Sequence, residues 1–135
     1  MNLYYKIKWT IKDAYWNFRK RCQRFKRGYS CGDVWDMDMW FIETIKPMLV
    51  HLRTNGISYP MEFNSRDDWC AVLDEMIACL DFMDENQVYD FLGFHECKDY
   101  LRMTSEDIKK AYEIRANNKN GFFRLFSEHF YDLWD

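Results

Sequence analysis

Residues 65–83 read SRDDWCAVLDEMIACLDFM. Trp69, Val72, Leu73, Met76, Ile77, Leu80 and Met83 recur at steps of three and four, which places them on one face of an α-helix. Ser65 opens the stretch, and Asp67 and Asp68 follow it. A serine hydroxyl at that place accepts from a free backbone N–H, and acids favour the positive helix end. A strand would need alternation with a period of two, which is absent. Working outward, Ser30 with Asp33 and Thr104 with Asp107 repeat the same start signal. Val34, Met37, Phe41, Ile45, Met48 and Leu52 follow the first, again at helical spacing. Ile108, Ala111, Tyr112, Phe122, Leu125, Phe126, His129 and Leu133 follow the second.

Residues 3–27 carry Tyr4, Ile7, Ile11, Tyr15, Phe18, Cys22 and Phe25 on one helix face, with basic residues around it, and Gly28 ends the run. The Ser30 start predicts a central helix over about 33–52, broadened by Trp35, Met39, Ile42 and Leu49 and kinked near Pro47. Residues 53–64, RTNGISYPMEFN, read as a loop. Residues 85–103 hold at most a short helix, and Asn117–Gly121 is expected to divide the last one. The expected fold is all-α: one domain over 1–135, a compact bundle of four to five helices. Within it, 1–28 is a basic amphipathic helix and 29–135 an acidic helical body.

Of the 135 residues, 48% are hydrophobic and 19% aromatic, with only 5 Gly and 2 Pro. That composition excludes a disordered or collagen-like chain, and so little glycine argues against barrels, P-loops and dinucleotide folds. The net charge of −3 is divided unevenly, +8 over residues 1–28 and −11 over the remainder. Such asymmetry fits either an anion-binding face or a basic helix docked on its own acidic body. Five cysteines without a CxxC pair read as free thiols in a reducing compartment. No signal peptide is expected, because Lys6, Lys8, Lys12 and Asp13 interrupt the early apolar residues. The lack of a run of about 18 apolar residues argues against stable membrane insertion.

Candidate chemistry is sparse. His95-Glu96-Cys97 has no second ligand pair at zinc-like spacing, and His51 and His129 stand alone, so no metal is expected. No nucleophile motif is present, and Asp36 and Asp38 point to different helix faces, so no catalytic residue and no cofactor are assigned. Asp38 falls near the apolar stripe and is expected to be a buried structural acid, paired with Arg53, Arg66 or Tyr59. Ligand binding has more support. Tyr29 and Trp35 flank the second helix start, Tyr59, Arg66 and Trp69 flank the third, and Arg53 ends the second. Aromatic faces stack on a base, while arginine and helix N-termini hold phosphate. Aromatics at helical spacing are, however, more often core. The first helix, with Tyr4, Tyr5, Trp9, Tyr15 and Trp16 among its basic residues, fits a docking, nucleic-acid or membrane-surface element.

One ordered set of motifs resembles a known group. Arg27-Gly28-Tyr29-Ser30, Asp33-Val34-Trp35-Asp36-Met37-Asp38, Ile45-Lys46-Pro47-Met48-Leu49, Gly56-Ile57-Ser58-Tyr59-Pro60, Asp67-Asp68-Trp69 and the final Leu133-Trp134-Asp135 are similar to a widespread family of small tailed-phage and prophage proteins. The similarity covers about residues 24–83 and the last dozen; Cys31-Gly32 departs from it, where an acid is often seen. The resemblance implies a phage-encoded protein acting in the host cell cytoplasm, in a family mostly of unassigned function. Two counter-defence modes fit: sequestration of a host immune nucleotide, either a cyclic nucleotide or an ADP-ribose derivative, and inhibition of a host defence protein such as a CRISPR nuclease. For the second, Glu106, Asp107 and Glu113 would mimic nucleic-acid charge. A phage accessory or structural role is the third reading, and homo-oligomerisation is compatible with each.

Overall fold

A computed structural model of the chain describes the backbone of residues 3–134 and the side chains of residues 6–96 and 98–134. Tyr4, Tyr5, the Cys97 thiol and Asp135, all named above, lie outside the described side chains. The chain is all-α: among the described residues there are six α-helices, one 3-10 turn and no strand. Two compact units divide it, one up to Phe41 and one from Ile42.

In the first unit, α1 spans Leu3–Arg27. Gly28, at φ 80°, donates its N–H to the Arg24 carbonyl, closing the helix in a conformation that only glycine adopts without strain. Arg24, Lys26 and Arg27 fill the last turn, where the helix dipole favours cations. Residues 31–36 are turns, so α2 begins at Met37 rather than at 33, and it runs through Pro47 to Asn55 rather than ending at 52. The late start has a local cause. The Asp33 carboxylate is drawn onto Arg24 of α1 (Nε–Oδ2 3.0 Å) and also accepts from the Ser30 N–H at 2.6 Å. Asp33 and Trp35 then make i→i+3 turn bonds to Ser30 and Gly32, and Trp40 N–H to Asp36 C=O makes the first i→i+4 bond. Ser30, expected to cap α2 with its hydroxyl, is instead fully buried.

In the second unit, α3 (Arg66–Asp81) starts where expected, with the Ser65 hydroxyl accepting from the Asp68 N–H at 3.2 Å. Trp69, Cys70, Leu73, Met76 and Leu80 form its buried side. Residues 85–103 resolve into two short helices, α4 (Glu85–Phe91) and α5 (Cys97–Tyr100). Thr104 and Asp107 complete the reciprocal capping box of α6 (Ser105–Glu128). α6 packs on α3 and α4, and Phe122, Leu125 and Ala111 meet Leu73, Met76, Leu80 and Val88 in one core. The Arg115 guanidinium also donates to the Met83 carbonyl beyond the end of α3 (3.0 Å).

The expected break at Asn117–Gly121 is absent, since α6 continues through it. The glycine makes no turn there, and a Cβ on it would sit 3.4 Å from Cys79 Sγ. That is ordinary contact, while glycine inside a helix costs roughly 0.5–1 kcal/mol relative to alanine. Gly121→Ala is therefore expected to raise stability by about that amount, measured by urea unfolding, whereas a loss would mean that α3 and α6 cannot give at this point.

Asp38 is exposed in the first turn of α2, while Arg53 binds Asp74 and Arg66 the Arg53 carbonyl, so the expectation of a buried acid paired with Arg53, Arg66 or Tyr59 is overturned. Asp38 stands one turn before the buried Ile42 and on the same face, at the start of the helix, where its side chain is exposed. Asp38→Ala should then leave the unfolding free energy nearly unchanged, within about 0.5 kcal/mol by urea unfolding.

Candidate ligand-binding site

The first unit has a built cleft. The turn after α1 folds back along one side of that helix, held by the Arg24–Asp33 pair and by the Cys31 N–H donating to Gln23 Oε1 at 2.9 Å. Between them lies a cleft of about 530 Å³, lined by Asp13, Trp16, Asn17 and Lys20 of α1 and by Gly32 and Trp35 of the turn. Lys20 reaches across Gly32. A Cβ there would come within 3.1 Å of Lys20 Cε and 3.3 Å of its Nζ. The lysine end thus lies against the turn, where Lys20 lines the cleft. Trp35 is 88% exposed and Trp16 is 39% exposed, so neither indole is consumed by a core. The Arg19 guanidinium lies over the Trp16 ring, 5.1 Å from its centre, so Trp35 offers the open face: one indole, one ammonium, one carboxylate and one amide can stack a flat heterocycle, meet a phosphate and read a polar edge.

The brace is electrostatic. The Arg24 guanidinium, and after it the Ser30 N–H, hold the Asp33 carboxyl far below its ordinary value of 3.8. The buried Ser30 hydroxyl lies beside the same carboxylate without making a well-formed hydrogen bond. A lowered acid contributes stability above its unfolded value and loses it as pH falls through the folded one. The Gly32 amide resonance is thus expected to stay fixed from about pH 7 to pH 4 and to move only in stronger acid. Movement at near-neutral pH would contradict the brace.

The other residues singled out from sequence fare differently. Tyr29 is half exposed under the Arg27 guanidinium, 4.5 Å from its ring centre, and lines a separate apolar cleft with Val34, Met37 and Trp40. Arg53, Tyr59, Arg66 and Trp69 all belong to the second unit. Arg53 forms a two-pronged pair with Asp74 (2.8 and 3.0 Å), which holds that carboxyl below its ordinary range. Arg66 donates to the Arg53 carbonyl at 3.2 Å, capping the end of α2. Tyr59 is exposed on the loop. Trp69 is only 2% exposed, and its ring packs on Phe63 and His129 at 5.3 and 5.4 Å, so it is core and cannot stack on a ligand.

His129 is not isolated. Its Nδ1 lies 3.1 Å from Glu62 Oε1 and 3.4 Å from Asp132 Oδ2, with the side chain largely buried. The three side chains could hold a divalent cation through one atom each. An Nδ1–H shared between the two carboxylates accounts for the same geometry. The second unit also has an apolar groove of about 460 Å³ among Met48, Leu52, Phe126, Phe130, Leu133 and Trp134.

No family model, curated protein or solved structure matches this chain. Among the described residues, no helix is long and apolar enough to cross a membrane.

Proposed function

We propose that this is a phage counter-defence protein that acts by binding, and that it sequesters a nucleotide signal in the Trp16–Trp35 cleft. The observation that carries the reading is the exposed Trp35 indole beside Lys20 on an open cleft of about 530 Å³ that Trp16, with the Arg19 guanidinium over its ring, also lines. Trp35 is retained from the earlier candidates; Trp16, Lys20, Asn17 and Asp13 replace those given to the core and to ion pairs. The ligand class is an anionic, base-bearing molecule, a cyclic nucleotide or an ADP-ribose derivative. Stacking contributes about 1–3 kcal/mol per base and a charge-assisted phosphate bond about 1.5–3 kcal/mol. The phage origin rests on the motif resemblance.

The rival reading, a protein inhibitor mimicking nucleic acid through α6, has weaker support. Lys109 and Lys110 interrupt Glu106, Asp107 and Glu113, and Asp107 is engaged by Thr104 in the capping box. Mixed signs on one helix do not copy a phosphate row. The test is to incubate the protein with cyclic dinucleotides and ADP-ribose derivatives, isolate the complex, denature it and analyse what is released. Recovery of intact nucleotide in proportion to protein is expected. A cleaved product would make the protein an enzyme, and release of no nucleotide would refute the assignment.

A further inference from the structure

The side of α1 opposite the cleft is unaccounted for. Ile7, Ile11, Tyr15, Phe18, Cys22 and Phe25 line an unbroken stripe over an arc of about 80°, reckoned at 100° per residue. The turn that folds back on α1 engages Lys20, Gln23 and Arg24, on the far side from this stripe. The stripe is left open: Ile11 is 64%, Phe18 67% and Phe25 93% exposed. Basic side chains border it, Lys8, Arg19 and Lys26 along one edge and Arg21 along the other. Asp13 is the one acid of the helix.

We infer that α1 is an interfacial helix that lies in the surface of an anionic lipid bilayer, apolar stripe down. Its chemistry is that of such helices: 25 residues, low overall hydrophobicity, a continuous aliphatic and aromatic face, and cations at both borders. The stripe would sit at the level of the headgroups and upper acyl chains, and the border lysines and arginines would reach up to the phosphates. The other occupants fit less well. Two copies meeting through the stripe would bring Lys8, Arg19 and Lys26 against the same cations of the partner. A nucleic acid would satisfy the cations but leave Ile7, Ile11 and Phe18 against phosphate and water. The cleft lies on the opposite side of the helix, so lipid and nucleotide binding are separable.

The experiment is co-sedimentation of the full chain with phosphatidylcholine vesicles, with and without phosphatidylglycerol at roughly one lipid in three. Partitioning at least tenfold stronger on the anionic vesicles is expected, falling as salt is raised. Phe18→Asp should abolish it. Because that variant could alter α1 itself, Lys8→Glu with Lys26→Glu, which leaves the stripe intact, should weaken it at least tenfold as well; far-UV circular dichroism reports helix content for both. Phe18→Asp should keep nucleotide binding, so failure of one assignment is distinguishable from failure of the other. Any of three results overturns the inference: no partition of the wild type, equal partition on neutral and anionic vesicles, or a dimer that depends on Phe18 and excludes lipid.

Discussion

Trp69→Ala is expected to lower the unfolding free energy by about 3–5 kcal/mol, in the range of large aromatic truncations in cores. The indole is 2% exposed and packs between Phe63 and His129 near the start of α3. Its removal leaves a cavity that these rings cannot fill, and it loosens the wall that positions His129 between Glu62 and Asp132. Since a domain of this size has roughly 5–15 kcal/mol in total, the variant should be close to unfolding at physiological temperature. Trp69→Phe keeps most of the volume and should retain a measurable cooperative transition. Chemical denaturation of both variants checks this. A loss below about 1 kcal/mol for the alanine variant would return Trp69 to the surface and to the list of ligand contacts.

Trp35→Ala should behave in the opposite way. The side chain is 88% exposed, so truncation removes little packing, and the melting midpoint should barely move. Nucleotide affinity should fall about 5–150-fold, the equivalent of roughly 1–3 kcal/mol of lost stacking. A phenylalanine at the same place keeps a π-face and should recover much of the binding. Unchanged affinity in the alanine variant, with a lowered melting midpoint, would make Trp35 a structural residue of the turn.

These two tryptophans mark the limit of what the sequence discloses. Both follow a start signal and an acid, and by pattern they are equivalent. What separates them is distance in the chain: Trp69 meets His129 from the far end of α6, whereas Trp35 stands on a turn that folds back on α1. Start signals that act over three residues are legible, as the Ser65 and Thr104 caps demonstrate. The Ser30 signal was misleading because Arg24, nine residues before Asp33, captured that carboxylate, and α2 starts only at Met37. All-α architecture follows from periodicity alone. The binding cleft does not, although one clue was available: Trp16 is out of register with the stripe of Ile11, Tyr15 and Phe18, and so had no part in that face. Glu62 and His129 lie too far apart in the chain for spacing to have joined them.

The most direct measurement is an isothermal titration of the wild-type protein with cyclic dinucleotides and ADP-ribose derivatives at low salt. One nucleotide should bind per chain, with affinity reduced by the Trp35→Ala substitution and unaffected by Tyr59→Ala on the second unit's loop. No heat from any of these nucleotides, or binding that persists undiminished without the Trp35 indole, would contradict nucleotide capture in this cleft.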